Sequence, residues 1–133
     1  MNDMEKTYEF LKEARTFYLA TAEGDQPRVR PIGAICVFEG KLYFQTGKKK
    51  KMSKQMAANP KVELCAMAGG KWIRLATTVV NDDRIEAKAY MLEQNPGLKR
   101  MYAADDDNTQ VLYFKDAVGT IESFTEPPVT LNF

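Results

Sequence analysis

The chain contains no histidine. That absence excludes every histidine-based triad, histidine metal site and histidine proton shuttle within it. Cysteine is scarce as well. Cys36 and Cys65 stand alone, with no CxxC pair, so neither a zinc site nor a thioredoxin-type dithiol is indicated. Both lie in apolar, strand-like stretches and read as buried, reduced thiols. No apolar run approaches the ~18 residues that would cross a membrane. The formal charge is +1, so no global field draws the protein to nucleic acid or membrane, and electrostatic binding has to be local. The first residues, Met1 to Lys6, are polar and charged. They read as no signal peptide, which makes the cytoplasm the expected location. A length of 133 residues suits one domain, residues 1–133, and 44% hydrophobic content suffices for its core.

The chain is richest in information from Arg28 to Val62. An alternating basic strand, Arg28-Val29-Arg30-Pro31-Ile32, is followed by a second strand, Lys41 to Thr46, across the turn Glu39-Gly40. Then come Gly47 and the run Lys48 to Lys51, a helical segment Met52 to Ala58, and the stop Asn59-Pro60. A helix N-terminus carries unpaired N–H groups and partial positive charge. Lysines placed there make a site for a phosphate or another anion. By its residues alone the run reads equally as a solvated charged loop. A nucleic-acid patch is less well supported, because no aromatic residues are interleaved with the lysines as a stacking platform requires. Thr46 and Gly47 favour the phosphate reading: one offers a hydroxyl, the other close approach. Arg28 and Arg30 share one strand face. Pro31 lacks an N–H and marks a place where the strand leaves its ladder.

The rest of the chain reads as strands with short helices between some of them. Helices are expected over Thr7–Arg15, Met52–Ala58 and Ile85–Glu93, with a helical turn from Asn95-Pro96 to Tyr102. Strands are expected over Thr16–Thr21, Arg28–Phe38, Lys41–Thr46, Val62–Ala68, Lys71–Asn81, Val111–Lys115 and Val118–Phe124, with an extended tail to Phe133. No helix–strand alternation calls for a parallel sheet. The expected fold is mainly β: a six- to seven-stranded antiparallel barrel of Greek-key type. Asp105-Asp106-Asp107 lacks calcium-loop spacing and reads as a solvated loop, and no metal site is expected.

The order Arg30-Pro31-Ile32, Tyr43-Phe44-Gln45-Thr46-Gly47, Lys50-Lys51, Lys54-Gln55-Met56 and Asn59-Pro60-Lys61-Val62-Glu63-Leu64 resembles the FMN-binding split-barrel proteins related to pyridoxamine 5′-phosphate oxidase. More loosely, the resemblance runs from Tyr8 to about Phe124. It implies a split β-barrel with FMN as cofactor, bound between the two subunits of a homodimer. It places Arg30 at the flavin-binding arginine and Ile32 where backbone contacts the flavin ring. The cofactor-binding candidates it implies, together with the residues above, are Arg28, Arg30, Pro31, Ile32, Gln45, Thr46, Gly47, Lys50, Lys51 and Lys54. Trp72 or Arg74 would reach the partner's flavin. Two positions depart from the pattern. Lys51-Met52 stands where the oxidase branch has Arg-Lys, so a second basic contact falls to Lys50 or Lys54 or is missing. Gln45 replaces an aromatic residue common before the threonine.

The function implied is an FMN-dependent oxidoreductase of small molecules, with NAD(P)H as a candidate electron donor and no partner nucleic acid or membrane. No residue stands out as catalytic, and a flavin can carry the redox chemistry without a histidine or carboxylate base. True pyridoxamine-phosphate oxidase activity is not expected, because that branch uses an arginine and a histidine for its substrate. A nitroimidazole-reductase-like role is weakened for the same lack of histidine. The alternatives are a non-catalytic flavin carrier or redox sensor and a relative that binds deazaflavin F420. Haem is disfavoured without a histidine ligand.

Overall fold

A computed structural model describes all residues, 1–133. Helix α1 (Asp3–Ala14) leads into strands β1 (Phe17–Glu23), β2 (Gln26–Ile32), β3 (Ile35–Phe38) and β4 (Lys41–Gly47). Helix α2 (Lys51–Ala58), strands β5 (Lys61–Ala68) and β6 (Lys71–Asp82) and helix α3 (Ile85–Gln94) follow. A 3-10 turn (Pro96–Arg100) precedes β7 (Thr109–Glu122) and β8 (Val129–Asn132). Helix α1 begins four residues before the sequence suggests, because Asn2 and Glu5 form a reciprocal capping box. No helix is long and apolar enough to cross a membrane.

All eight strands join one antiparallel sheet in the order β2-β1-β5-β6-β7-β4-β3, with β8 on β7. The mainly β, antiparallel class is therefore as the sequence suggests. Eight strands replace six or seven for local reasons. The stretch Arg28–Phe38 is not one strand, because the chain leaves the ladder after Ile32 and re-enters at Ile35. The tail pairs with Val118–Ile121 instead of lying free. In the other direction, Val111–Lys115 and Val118–Glu122 belong to one strand, and Ser123 and Phe124, expected in it, lie past its end. Between them Asp116 takes φ +52° and β7 spends two residues against the single Thr77 of β6. Such a bulge bends a strand without ending it.

Strand alternation fills the interior. On β5 every second residue is buried, including Val62, Leu64 and Ala66. Phe17 of β1 meets Phe44 of β4 edge to face at 6.5 Å, although these strands lie far apart in the sheet order. The sheet thus curls round a 21-residue core that includes Leu19, Leu64, Leu75 and Phe114. Cys36 is buried as expected, and burial pushes its thiol up to about 12. Cys65 is not buried as expected: it lies on the outward phase of β5 and is exposed, and both cysteines are free. Gly119 is the tightest point of the β6–β7 ladder, where a Cβ would meet the Arg74 carbonyl.

A second, smaller core lies outside the barrel. There Cys36, Tyr43 and Val111 pack under Ala87 and Met91 of α3. At its edge the buried Tyr43 hydroxyl donates to Asp82 at 2.8 Å, and Arg84 holds the same carboxylate at 2.9 Å. Arg84 also reaches Glu39 of the β3–β4 turn at 2.7 Å. This brace ties β4, β6, the hairpin and the start of α3. The hydrogen bond from Arg84 is the largest cause that lowers Asp82 to about 2. A folded-state value below the unfolded one contributes stability above pH ~4 and loses it as pH falls through about 2. Comparing Asp82→Asn with the parent by denaturant titration should show a deficit of at most about 2 kcal/mol near pH 6. That deficit should shrink between pH 4 and pH 2, and a pH-independent difference would remove Asp82 as its origin.

Candidate functional site

A cavity of about 570 Å³ opens where β2 ends, where β4 runs into α2, and where the 3-10 turn crosses. This volume lies in the usual range of small-molecule sites, roughly 300–1,000 Å³. Pro31, Ile32, Gly33 and Ala34 form one wall, the very break that splits the expected long strand. Gln45, Thr46 and Lys50 form the floor, and the segment from Gln94 to Tyr102 forms the far wall.

The floor is fixed by the end of the β4–β7 ladder, where Thr46 lies opposite Gln110 and Gly47 opposite Thr109. Beyond it Asn108 accepts from the Lys48 amide at 2.7 Å through its carbonyl and from the Lys49 amide at 3.1 Å through its side chain. At Gly47 a Cβ would stand 3.1 Å from the Tyr102 hydroxyl and 3.3 Å from Asn108, so those side chains would have to shift slightly for a larger residue. Asp106 ties down the same turn. Against the cost of burial, the amides of Thr109, Ala103 and Asn108 hold its carboxyl well below the usual range. The aspartate run is therefore an organised turn at Asp106, not only a solvated loop.

Helix α2 then starts with Lys50 at its cap position, without a side-chain cap and without an acidic residue in its first turn. Its N-terminal dipole is left uncompensated. Beside it the hydroxyl of Thr46 is buried and has no hydrogen-bond partner. Lys48 does not serve this place, because its ammonium pairs with Asp83 at 3.4 Å and Asp107 at 3.7 Å. Lys50, Lys51 and Lys54 are exposed, and none of them appears in an ion pair with an acidic group. An orphaned hydroxyl, an uncapped helix start and unpaired lysines fit a phosphate. The wider cavity, with its apolar walls, fits a planar ring.

Arg30 sits beside the cavity wall and braces it. Its guanidinium donates to the Leu19 carbonyl at 3.2 Å, to Thr21 Oγ1 at 2.7 Å and to Gln55 Oε1 at 2.7 Å. Gln55 also accepts from Thr21 at 2.6 Å and donates to Glu23 at 3.3 Å. Burial, and then the charge of Arg28, lower the Arg30 pKa from its ordinary value. The arginine is thus oriented between β1, β2 and α2 with donors to spare.

The cavity brings together Pro31, Ile32, Gln45, Thr46 and Lys50 from the sequence-derived set. Gly47, Lys51 and Arg30 adjoin lining residues without lining it, and Lys54 is exposed on α2 and does not line it. Two residues lie apart. Arg28 is exposed and bonded to Glu23 at 2.9 Å. Trp72 of β6 packs on Phe124, just past the end of β7, at 5.1 Å and outside the cavity. The reading of the sequence missed Gly33, Ala34 and the whole wall from Gln94 to Tyr102. Asn95-Pro96-Gly97 carries a helix-start signal, and nothing local says what the turn faces.

Comparisons with known proteins bear on the family and the fold. Residues 4–120 match the family model described as Pyridoxamine 5′-phosphate oxidase. Among solved structures the chain is similar to a nimc/nima family protein from Clostridium acetobutylicum. The identity is 52% and the TM-score 0.96, over 98% of this chain and 92% of that one. General Stress Protein 26 from Bacillus anthracis str. Sterne is similar in fold, with 21% identity and a TM-score of 0.74 over 98% and 100% of the two chains. So is a heme binding protein from Mycobacterium smegmatis, with 12% identity and a TM-score of 0.76 over 99% and 58%. No curated protein matches the chain.

Gln55 is the keystone of the brace behind the cavity. Gln55→Leu should cost about 1–3 kcal/mol of stability in denaturant titration, because the Thr21 hydroxyl and part of Arg30 lose their partner. A change within experimental error would show that these bonds contribute nothing net.

Proposed function

The chain belongs to the pyridoxamine 5′-phosphate oxidase family, and from that premise we propose that it is an FMN-binding flavoprotein that acts as an oxidoreductase on small molecules, built as one domain over residues 1–133. The observation that carries this reading is the anion seat at the head of α2. Thr46 offers an unpaired buried hydroxyl, the helix start is uncapped, and Lys50 stands at the cap. In this reading Thr46, Gly47, Lys50, Lys51 and Lys54 hold the phosphate. Arg30 supplies fixed positive charge, and Pro31 to Ala34 lie along the ring. Bound FMN would supply two-electron redox chemistry, taking electrons from a donor such as NAD(P)H. The chain's own part is to bind, orient and shield. True pyridoxamine-phosphate oxidase activity is not proposed, because the histidine which that branch uses is absent from this chain. The cytoplasm remains the proposed location.

FMN should bind far more tightly than riboflavin in a fluorescence titration. Lys50→Ala with Lys51→Ala, and separately Arg30→Ala, should each weaken FMN by roughly tenfold or more, as loss of a charge-assisted contact of about 1.5–3 kcal/mol requires. Equal affinity for riboflavin and FMN, or a deazaflavin or haem found by mass spectrometry of the purified protein, overturns the reading.

A symmetric homodimer with FMN at the interface forms part of the same proposal. The barrel interior is filled by side chains and cannot enclose a ring, so the cavity needs a cover from outside. The outward face of the sheet exposes Tyr18, Met67 and Val118, with Phe124 95% exposed beside Trp72. Arg74 lies on the same face, exposed and paired with Glu63 at 3.0 Å. A twofold contact is the commonest way to bury such a face. Sedimentation at micromolar concentration should give a dimer, and Met67→Glu should shift it toward monomer with loss of flavin. A flavin-loaded monomer defeats this part of the proposal.

A further inference from the structure

Four buried side-chain polar atoms lack a hydrogen-bond partner: Gln45 Nε2, Gln45 Oε1, Thr46 Oγ1 and Gln110 Oε1. Three of them belong to two adjacent residues that line the cavity. The anion seat accounts for Thr46, and it leaves Gln45 unexplained. Gln45 is only 5% exposed. Its backbone is satisfied, with the amide donating to the Ala34 carbonyl at 3.1 Å, so the unpaired part is the carboxamide alone. Its neighbours on that face of β4 and β7 are Tyr43 and Val111, in the small apolar core under α3. An apolar side chain would suit such a place. A buried amide without partners costs stability, and that cost is recovered when something in the cavity completes it.

We propose that Gln45 is a specificity-determining residue of this cavity, and that its carboxamide takes a planar ligand bearing an N–H donor beside a C=O acceptor. That is the edge of an amide, lactam or imide. A carboxamide presents one donor and one acceptor side by side, so such an edge closes two hydrogen bonds in a ring. A ligand that lacks either group leaves a buried atom unpaired, which is the strongest form of discrimination a small site has. The walls suit a planar ligand, since Pro31, Ile32, Pro96, Leu98 and Met101 line the same cavity as Gln45. This edge has two sources: the pyrimidine ring of the flavin itself, or a second, carboxamide-bearing heterocycle. The first source rests on the FMN reading above and the second does not.

The test uses the full chain with Gln45→Leu and Gln45→Met, which keep volume and remove both polar atoms. Dissociation constants are measured for FMN and for 3-methyl-FMN, whose imide donor is blocked, and for nicotinamide by ligand-observed NMR with and without FMN. If the flavin is the source, methylation weakens wild-type binding at least tenfold and the variants' binding less than twofold. If a second ligand is the source, methylation matters in no protein and nicotinamide binding falls at least tenfold in both variants. Either result supports the proposal. In both cases the ligand-free variants melt above the wild type, because the unpaired amide is gone. Unchanged discrimination in both arms overturns it. So do variants that melt lower while binding FMN and nicotinamide as the wild type does, for Gln45 would then be a packing residue. Failure of FMN to bind the wild type defeats the functional reading but not this inference, which the nicotinamide arm on the ligand-free protein then decides.

Discussion

Strand β4 has no solvent face beyond Lys41. Leu42 and Phe44 turn into the barrel, Tyr43 joins the small core under α3, and Gln45 and Thr46 are buried at the cavity. A strand buried on both sides normally reads as a continuous apolar run. β4 does so only as far as Phe44, and its last residues are glutamine, threonine and glycine. The polar change comes where the barrel ends and the cavity begins. Everything that shapes the site hangs from this strand: the ladder to β7, the pinned lysine loop, the start of α2, and the wall after β2 that bonds back through Ala34. Displacing β4 would lose both cores and the site together.

The sequence made the barrel legible where a strand has one buried face. β5 and the first half of β6 alternate cleanly, and period two is the signal a half-buried strand leaves. It misled where punctuation and pairing disagree. Lys115-Asp116 looks like a boundary, yet the partner strand continues through it and the chain only bulges. Gly33-Ala34 looks like strand interior, yet the ladder stops there. Of the candidate site, Thr46 to Lys50 at a helix start and Pro31 with its missing N–H could be read from local order, while Ile32 came only from the resemblance. The wall from Gln94 to Tyr102 could not be, because its place depends on how α3 packs across β3 and β4. That packing is decided by Ala87 and Met91 meeting Cys36 and Tyr43. Nor could alternation tell that Arg28 and Arg30, two residues apart on one face, part company. One is drawn to Glu23 at the exposed hairpin, the other to Gln55 beneath it.

The chemistry available at the cavity is unusually plain. Its lining contains no aspartate, glutamate or cysteine, and only Lys50 and Tyr102 carry a titratable group. Strongly shifted ionisable groups often mark a catalytic centre. Here the buried pair with the clearest shifts, Tyr43 raised mainly by burial and Asp82 lowered mainly by Arg84, lies in the brace beside α3. Those shifts come from holding two strands, a hairpin and a helix at one point. A cavity so poor in acids and bases, in a chain without histidine, has little means of moving protons itself. What it offers is apolar walls, an uncapped helix start and a buried amide without a partner. Such a lining suits a ligand that brings its own reactivity, and under the proposed function specificity lies in hydrogen-bond geometry more than in acid–base strength.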